Sequence, residues 1–375
     1  MHHLPQQMSR RVFARGAAAA LLALGLAACQ TTKGGGDAKV LVWPDPPEPA
    51  RFYFEGTLRS STDIVAETSA ERMKRIATGI GQAGKPLDKP WGVAAYDHKV
   101  YIGDTLSRKI HVYDMAAKTY TEVGSKGVGS VAKPLGLAVD GKGWLYVCDG
   151  TGKRVVVFDQ DGNFQNSVGK PGDLERPSAV GVSRDGQRIY VVDVGGVDSD
   201  KHHVVVFDAN GDKIQTVGTR GTEPGTFNLP VGIAVHPNGN FYVVDGGNFR
   251  VQAFTPDGKF LLTFGDVGRR SGQFARPKDI AIDPQGNVYV TDSSFGNVQI
   301  FNEKGQLLLF LGERGNEGSP AQYMLPTGIN IDQKDGRLYV VDQFFKKVDV
   351  FRPAGTSAER PVRKVEPKDP KASQK

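Results

Sequence analysis

Three sets of residues in this chain carry side chains able to do chemistry. Seven histidines could ligate a metal or move protons, six aspartates recur at the ends of apolar runs, and Lys278 stands beside Asp279. The histidines do not converge. His2 and His3 lie in an N-terminal leader, His98 and His236 in polar turns, and His111, His202 and His203 within apolar runs. Adjacent His202 and His203 project to opposite faces of an extended segment, so they cannot chelate one ion together. The neighbouring Asp198-Ser199-Asp200 lacks the full oxygen set of a calcium site. The aspartates close YIGD (Asp104), YVCD (Asp149), YVVD (Asp193), YVVD (Asp245), YVTD (Asp292) and YVVD (Asp342). Each precedes a turn, where a carboxylate accepts backbone N–H bonds, so a structural role is expected of them. No nucleophile elbow, P-loop or Cys-x-x-Cys pattern is present. We therefore expect no catalytic residue, no metal and no cofactor.

The elements that carry these residues repeat. Residues 276 to 312 hold four apolar runs, Asp279–Asp283, Asn287–Asp292, Asn297–Phe301 and Leu307–Gly312, separated by short turn sequences. That pattern reads as four antiparallel strands joined by hairpins. One such sheet would leave both faces wet and needs neighbours. The strand-ending aspartates recur at intervals of 45, 44, 52, 47 and 50 residues. Four strands per unit at that period predict an all-β fold, a six-bladed β-propeller of four-stranded antiparallel blades. First strands such as Gly232-Ile233-Ala234-Val235 alternate small and large residues, so that one face leaves room for the next blade. In four blades the residue after the opening proline is uncharged and the next is Gly, whereas blade five has Lys278 and Asp279.

The sixth unit stops after three strands, and its missing strand stands at the other end of the chain as Arg51-Phe52-Tyr53-Phe54-Glu55-Gly56. Residues 50–56 are expected to close the last blade and remove an exposed edge. Joining ends about 300 residues apart costs about 5 kcal/mol of loop entropy, which this strand must offset. Residues 59–89 form a connection with a short helix capped by Ser69, in which Met73, Ile76 and Ile80 share a side. Blades start at residue 90, the propeller spans residues 50–352, and residues 353–375 form a disordered basic tail.

The N-terminus reads as a targeting segment. Ser9-Arg10-Arg11-Val12-Phe13 precedes an apolar run from Gly16 to Ala28, too short for a stable membrane span and of signal-peptide length. The arginine pair resembles a twin-arginine export signal, and Leu26-Ala27-Ala28-Cys29 resembles a bacterial lipobox. These resemblances imply a signal peptide over residues 1–28, a lipid on Cys29, and attachment to the outer membrane, since Gln30 follows the cysteine. Residues 29–49, rich in Gly and Pro, are expected to be a tether. Lipidation of Cys29 would leave Cys148 alone inside a strand, as a small buried hydrophobe. The formal charge of +6 is carried by the leader and the tail, which leaves the body near −1. A near-neutral body argues against a nucleic-acid partner.

The repeats resemble the NHL repeat, with Pro230–Gly265 the nearest copy: a Pro, then Gly-Ile-Ala-Val, then Phe-Tyr-Val-Val-Asp245 and Asn248-Phe-Arg250-Val-Gln-Ala-Phe254. The stretch Leu41-Val42-Trp43-Pro44, followed by Arg51-Phe52-Tyr53, resembles the lead-in of exported six-bladed NHL lipoproteins of bacteria. Two propeller enzyme families offer a contrast. Peptidyl-hydroxyglycine lyases hold zinc with histidines placed after the first-strand prolines, where this chain has Trp91, Leu135, Ser178, Val231, Lys278 and Thr327. Gluconolactonase-type propellers hold an axial calcium with Glu, Asn and Asp, and those six positions contain no carboxylate or amide. Asp279 stands one residue further along, and Lys278 beside it is expected to reach Asp279 or a neighbouring blade as an ion pair rather than to act as a base.

These readings leave the enzyme question open and lean against catalysis. They favour a lipid-anchored extracytoplasmic scaffold, a monomeric ring that binds an envelope protein and touches the membrane through its anchor alone. Candidate partner-binding residues are Trp91, Lys278 and Asp279 at the channel, with Phe249, Phe295, Phe344 and Phe345 in turns after second strands. The alternative is a metal-dependent propeller enzyme, lyase-like or lactonase-like, with a non-standard site.

Overall fold

A computed structural model describes residues 41–79, 83–196 and 198–355. Within it the repeats are six antiparallel sheets, each with its first strand innermost. Blade one spans residues 90–123, blade two 134–168, blade three 177–217, blade four 230–264 and blade five 277–311. Blade six takes Pro326–Ile331, Leu338–Asp342 and Lys347–Pro353 from the end of the chain, and Phe52–Leu58 from its start. The closing strand therefore runs two residues beyond Gly56. The residues read as a signal peptide with its arginine pair, Cys29, and residues 356–375 of the predicted tail lie outside the described residues.

The second strands show why the sheets stack. All five residues of Leu145–Asp149, Phe241–Asp245, Val288–Asp292 and Leu338–Asp342 are buried, because both faces of each strand meet a neighbouring sheet. The apolar cores lie between blades: Cys148, Val155 and Val157 of blade two pack with Val180, Ile189 and Phe207 of blade three. Ring closure is made in the same way, with Val93 and Val100 of blade one against Tyr339 and Val348 of blade six.

The small face of the first strand is needed because inner strands converge on the axis. A Cβ on Gly92 would lie 2.2 Å from the Leu135 carbonyl oxygen, and one on Gly328 would lie 2.4 Å from that of Trp91. Neither contact is possible without moving backbone, so only Gly permits this spacing.

Two expectations at the N-terminal side need correction. The end of the predicted tether is part of the fold: Val42–Trp43 pairs with Phe52 and Tyr53 as a fifth strand of blade six. Trp43 stands edge-on to Phe351 with ring centroids 5.3 Å apart, which holds it there. The helix spans Ser69–Thr78, but its cap is Thr68, not Ser69. Thr68 and Glu71 form a reciprocal capping box, and Gly79 ends the helix in a left-handed conformation. Its apolar side does not dock, since Met73 is 74% and Ile76 69% exposed. Caps and the 2.8 Å Glu67–Arg75 ion pair, not burial, hold this helix. Ile80 lies outside the described residues.

Candidate functional site

The strand-ending aspartates are structural. Asp104, Asp149, Asp193, Asp245, Asp292 and Asp342 are all buried. Each accepts N–H bonds from the loop that arrives from the preceding blade. Asp292 takes those of Ala275 and Arg276 at 2.8 and 2.9 Å, and then those of Ser294 and Phe295 in its own turn. Such bonds favour the charged form: against the upward push of burial, His111 first and then the amides of Ser107, Lys89 and Asp88 hold the Asp104 carboxyl well below the usual range. The carboxylates staple blade to blade and present no oxygen to a ligand.

The histidines behave as the alternation requires. His203 turns toward Asp193 at 3.7 Å, whereas Nδ1 of His202 accepts the Leu229 N–H at 3.1 Å on the other face. His111 is buried, 2.7 Å from the Tyr120 hydroxyl. Among the described residues no three His, Cys, Asp or Glu side chains converge in a way that could hold a metal. Cys148 is buried among apolar side chains, and burial pushes its thiol pKa well up.

The channel is one concave feature, and a cleft beside the closing strand, lined by Glu55, Thr57, Thr62, Asp63, Met115 and Lys118, is another. The lumen of the channel holds a cavity of about 140 Å³ walled by the six first strands, mostly by Gly, Ala, Val and Ile. Among the described residues, Asp279 is the one carboxylate on a strand segment of that wall. Thr291 braces its backbone, with Oγ1 3.0 Å from the Asp279 amide nitrogen. Oδ2 accepts the Ile329 N–H of blade six at 3.2 Å. Oδ1 points toward Gly232 of blade four, where a Cβ would come within 2.8 Å. The carboxyl touches the lumen yet has protein around it on every side, and this desolvation pushes its pKa up to about 7.

The predicted Lys278–Asp279 ion pair does not form. Consecutive strand residues face opposite ways, and the register is irregular between Pro277 and Ile280. Asp279 satisfies itself on backbone instead. The Lys278 amino group is half-buried and makes no hydrogen bond or ion pair among the described residues. Burial first, and Arg276 second, lower its pKa.

Sequence reasoning missed two polar features of blade six. Asn330 projects from its first strand and accepts the Ala95 N–H of blade one at 3.0 Å. Together with Asp279 it covers two inner-edge amides in succession around the wall. The other is a buried ion pair: Lys347 Nζ lies 2.7 Å from Asp349 Oδ2, both side chains fully enclosed. Lys347 also donates to the Ser319 carbonyl, and Asp349 accepts from the Ala321 amide and from Thr57 of the closing strand. A charged pair inside the apolar run Lys347–Phe351 was the available signal.

The remaining candidates divide by exposure. Phe344 is 60% exposed and meets Phe345 edge-on, with ring centroids 5.0 Å apart. The Phe345 carbonyl is held by Arg59, and its ring lies over Gly318. Phe249 packs against the core between blades four and five, and Phe295 is half-buried. Trp91 is half-buried at the mouth, where its carbonyl accepts the Thr327 hydroxyl at 2.9 Å.

Comparison with known proteins agrees with this architecture. Residues 227–254 match the NHL repeat, and residues 284–352 match a family described as a 6-bladed beta-propeller. A Bacteroides thetaiotaomicron protein of unknown function is similar at 19% identity and TM-score 0.56, over 72% of this chain and 71% of that one. A gluconolactonase from Xanthomonas campestris is similar at 21% identity and TM-score 0.53, over 71% and 86%. Virginiamycin B lyase from Staphylococcus aureus is similar at 14% identity and TM-score 0.50, over 73% and 82%. At these identities the likeness is one of fold.

Proposed function

We propose that this six-bladed NHL-repeat propeller is a binding scaffold of the bacterial cell envelope, held at the outer membrane by a lipid on Cys29. The observation that carries the reading is the mouth at which the first strands begin. It presents a half-buried Trp91 and a Lys278 with no partner among the described residues, and Phe344 stands out in the turn before the third strand of blade six. Aromatic side chains beside an unpaired charge are what a protein partner can use as anchors. The blade aspartates are engaged by backbone N–H groups and offer a partner no free carboxylate. Export and anchoring follow from the arginine pair and the lipobox-like Leu26–Cys29.

The test is crosslinking of the full chain in intact envelopes, followed by recovery and identification of what is attached. Recovery of one specific protein, lost when Trp91 and Phe344 are replaced by Ala, is the expected result. Recovery of no specific protein would count against the reading. Loss of membrane association in Cys29→Ala checks the anchor.

A second reading is enzymatic, and Asp279 is the observation that favours it. A carboxyl on the wall of the lumen with its pKa pushed up to about 7 has the property of a general acid or base. The similar folds include a gluconolactonase and a virginiamycin B lyase. Turnover of a lactone or of a hydroxyglycine peptide, abolished by Asp279→Asn, would establish this reading. No turnover by the full chain, with and without added zinc or calcium, would dismiss it for those substrates.

A further inference from the structure

The residue before each opening proline occupies an equivalent place on every blade, which the backbone contacts demonstrate. The amides of Lys89, Lys133, Arg176, Arg276 and Leu325 donate to Asp104, Asp149, Asp193, Asp292 and Asp342 at 2.6 to 2.9 Å. Blade four places Leu229 at this position, its amide turned to His202 instead. The ring of six positions around the mouth therefore reads Lys, Lys, Arg, Leu, Arg, Leu. All four cations are exposed, and none of their side chains makes a hydrogen bond or ion pair among the described residues. Lys278, two residues beyond Arg276 and inside the lip, is unpartnered in the same sense.

A second tier stands at the same end of the ring. Arg108, Lys153 and Lys346 occupy the left-handed position of their turns, with φ of 54°, 51° and 52°. They too are exposed, without ion-pair partners among the described residues. Acids stand at this end as well, Asp173, Asp198, Asp200, Glu223, Asp266 and Glu313 in its loops and the buried blade carboxylates beneath, but none of them forms an ion pair with a side chain of the four ring cations. Asp88 and Glu175 each precede a ring cation by one residue, and Glu175 engages Ser199 and Lys201 at 3.1 and 3.7 Å. The turns at the other end carry both signs, Asp140, Asp159, Asp208 and Asp283 among Lys118, Lys142, Lys213 and Lys304, so the unpaired cations of the mouth are a local feature that net charge does not reveal.

We infer that this mouth is a docking surface for an acidic peptide segment, one that sets carboxylates on the ring of Lys89, Lys133, Arg176 and Arg276 and inserts an apolar side chain between them. The inference rests on the binding reading above and supplies the chemistry of its partner. Charge complementarity selects the acidic component. The apolar component follows from Leu229, 49% exposed within the ring itself, and from Trp91 and Val231 just inside it. A peptide, rather than an anionic bilayer, is favoured by Lys278. Its amine is half-buried behind the lip, where a flat surface cannot reach but a protruding carboxylate can. Burial and then Arg276 lower its pKa, opposed by Asp292.

The experiment measures binding of a short labelled peptide of alternating Asp and Leu, with blocked ends, to the full chain by fluorescence anisotropy. The same peptide with Asn for Asp is the control. Expected are tighter binding of the Asp peptide, weakening by salt, about a tenfold loss in the double variant Lys133→Glu, Arg276→Glu, and about a fivefold loss in Lys278→Met. Lys118→Glu, at the other end of the ring, should change nothing, and thermal melting confirms that each variant is folded. Equal binding of the Asp and Asn peptides, or indifference to the ring variants, overturns the inference. So does ring-dependent binding of phosphatidylglycerol vesicles or oligothymidylate without binding of the peptide, which would reassign the surface to membrane or nucleic acid. If the ring variants still crosslink the same envelope protein as the native chain, this inference fails while the scaffold reading stands. If no protein is captured by either, the scaffold reading fails on its own.

Discussion

Oδ2 of Asp279 on blade five accepts the backbone N–H of Ile329 on blade six at 3.2 Å. Inner strands of a propeller expose one edge of unpaired amides to the channel, and here a side chain covers one of them. The carboxyl does so from a desolvated place that favours its neutral form. Asp279 is therefore a brace across the channel wall whose strength depends on pH.

The sign follows from linkage. The folded-state pKa, about 7, is raised above the ordinary value of 3.8, so between these values the folded chain binds the additional proton. Stability from this group is fully present below pH 4, falls as pH rises, and levels off above about 7. The span corresponds to at most about 4 kcal/mol. Asp279→Asn removes the titration while keeping an oxygen for Ile329. Urea melts of both proteins should nearly coincide at pH 4 and separate progressively in favour of the asparagine variant up to pH 8. A pH-independent gap would show that the carboxyl is not desolvated in the folded ring.

Close approach at the axis gives a second prediction. Gly92→Ala would place a Cβ 2.2 Å from the Leu135 carbonyl oxygen, a backbone atom that cannot swing away. The cost of forcing blades one and two apart should be about 2–3 kcal/mol or more. Gly56→Ala, with nothing within 4 Å of the new methyl, is the matched control and should be near neutral. Equal melting temperatures for the two variants would contradict the packing described.

The blade staples give a third. Asp149 accepts the amides of Ala132, Lys133 and Gly152 at 2.9 to 3.0 Å. Asp149→Ala leaves these donors without an acceptor and should destabilise by about 3 kcal/mol or more. Asp159→Ala, in an exposed turn between the third and fourth strands, should cost about 1 kcal/mol or less. Chemical denaturation of both variants checks the contrast.

The ring was legible in the sequence because each blade repeats one strand pattern and one terminal aspartate, so six weak signals reinforce each other. Asp279 was legible for the opposite reason, as a break in the repeat at a Gly position. Its partner was not. Adjacency in sequence suggested Lys278, but consecutive strand residues face opposite ways, and the donor to Asp279 is an amide 50 residues away. The cationic mouth escaped notice because net charge averages over both ends of the ring. Each of its members looks like an ordinary loop lysine or arginine until topology brings them to one rim. The helix failed differently: its apolar side is genuine, yet capping, a local property, forms it without any docking.

Blade six carries the last prediction. Lys347 and Asp349 are fully buried 2.7 Å apart, and Asp349 also takes the Thr57 hydroxyl at 2.7 Å, which links the closing strand to its neighbour. Burial lowers the pKa of Lys347 and raises that of Asp349, opposed in each case by the partner. Desolvation of such a pair consumes most of its attraction, so the pair as a whole contributes little. Removing one partner is another matter. Lys347→Met strands a buried carboxyl and should cost about 3–5 kcal/mol. The double variant Lys347→Met, Asp349→Leu should recover most of that loss, leaving chiefly the bonds from Thr57 and the Ala321 amide to be made up. A double-mutant cycle by urea denaturation tests this. If the double variant were as unstable as the sum of the single ones, the two charges would not be coupled, and the closing strand would owe its register to apolar packing alone.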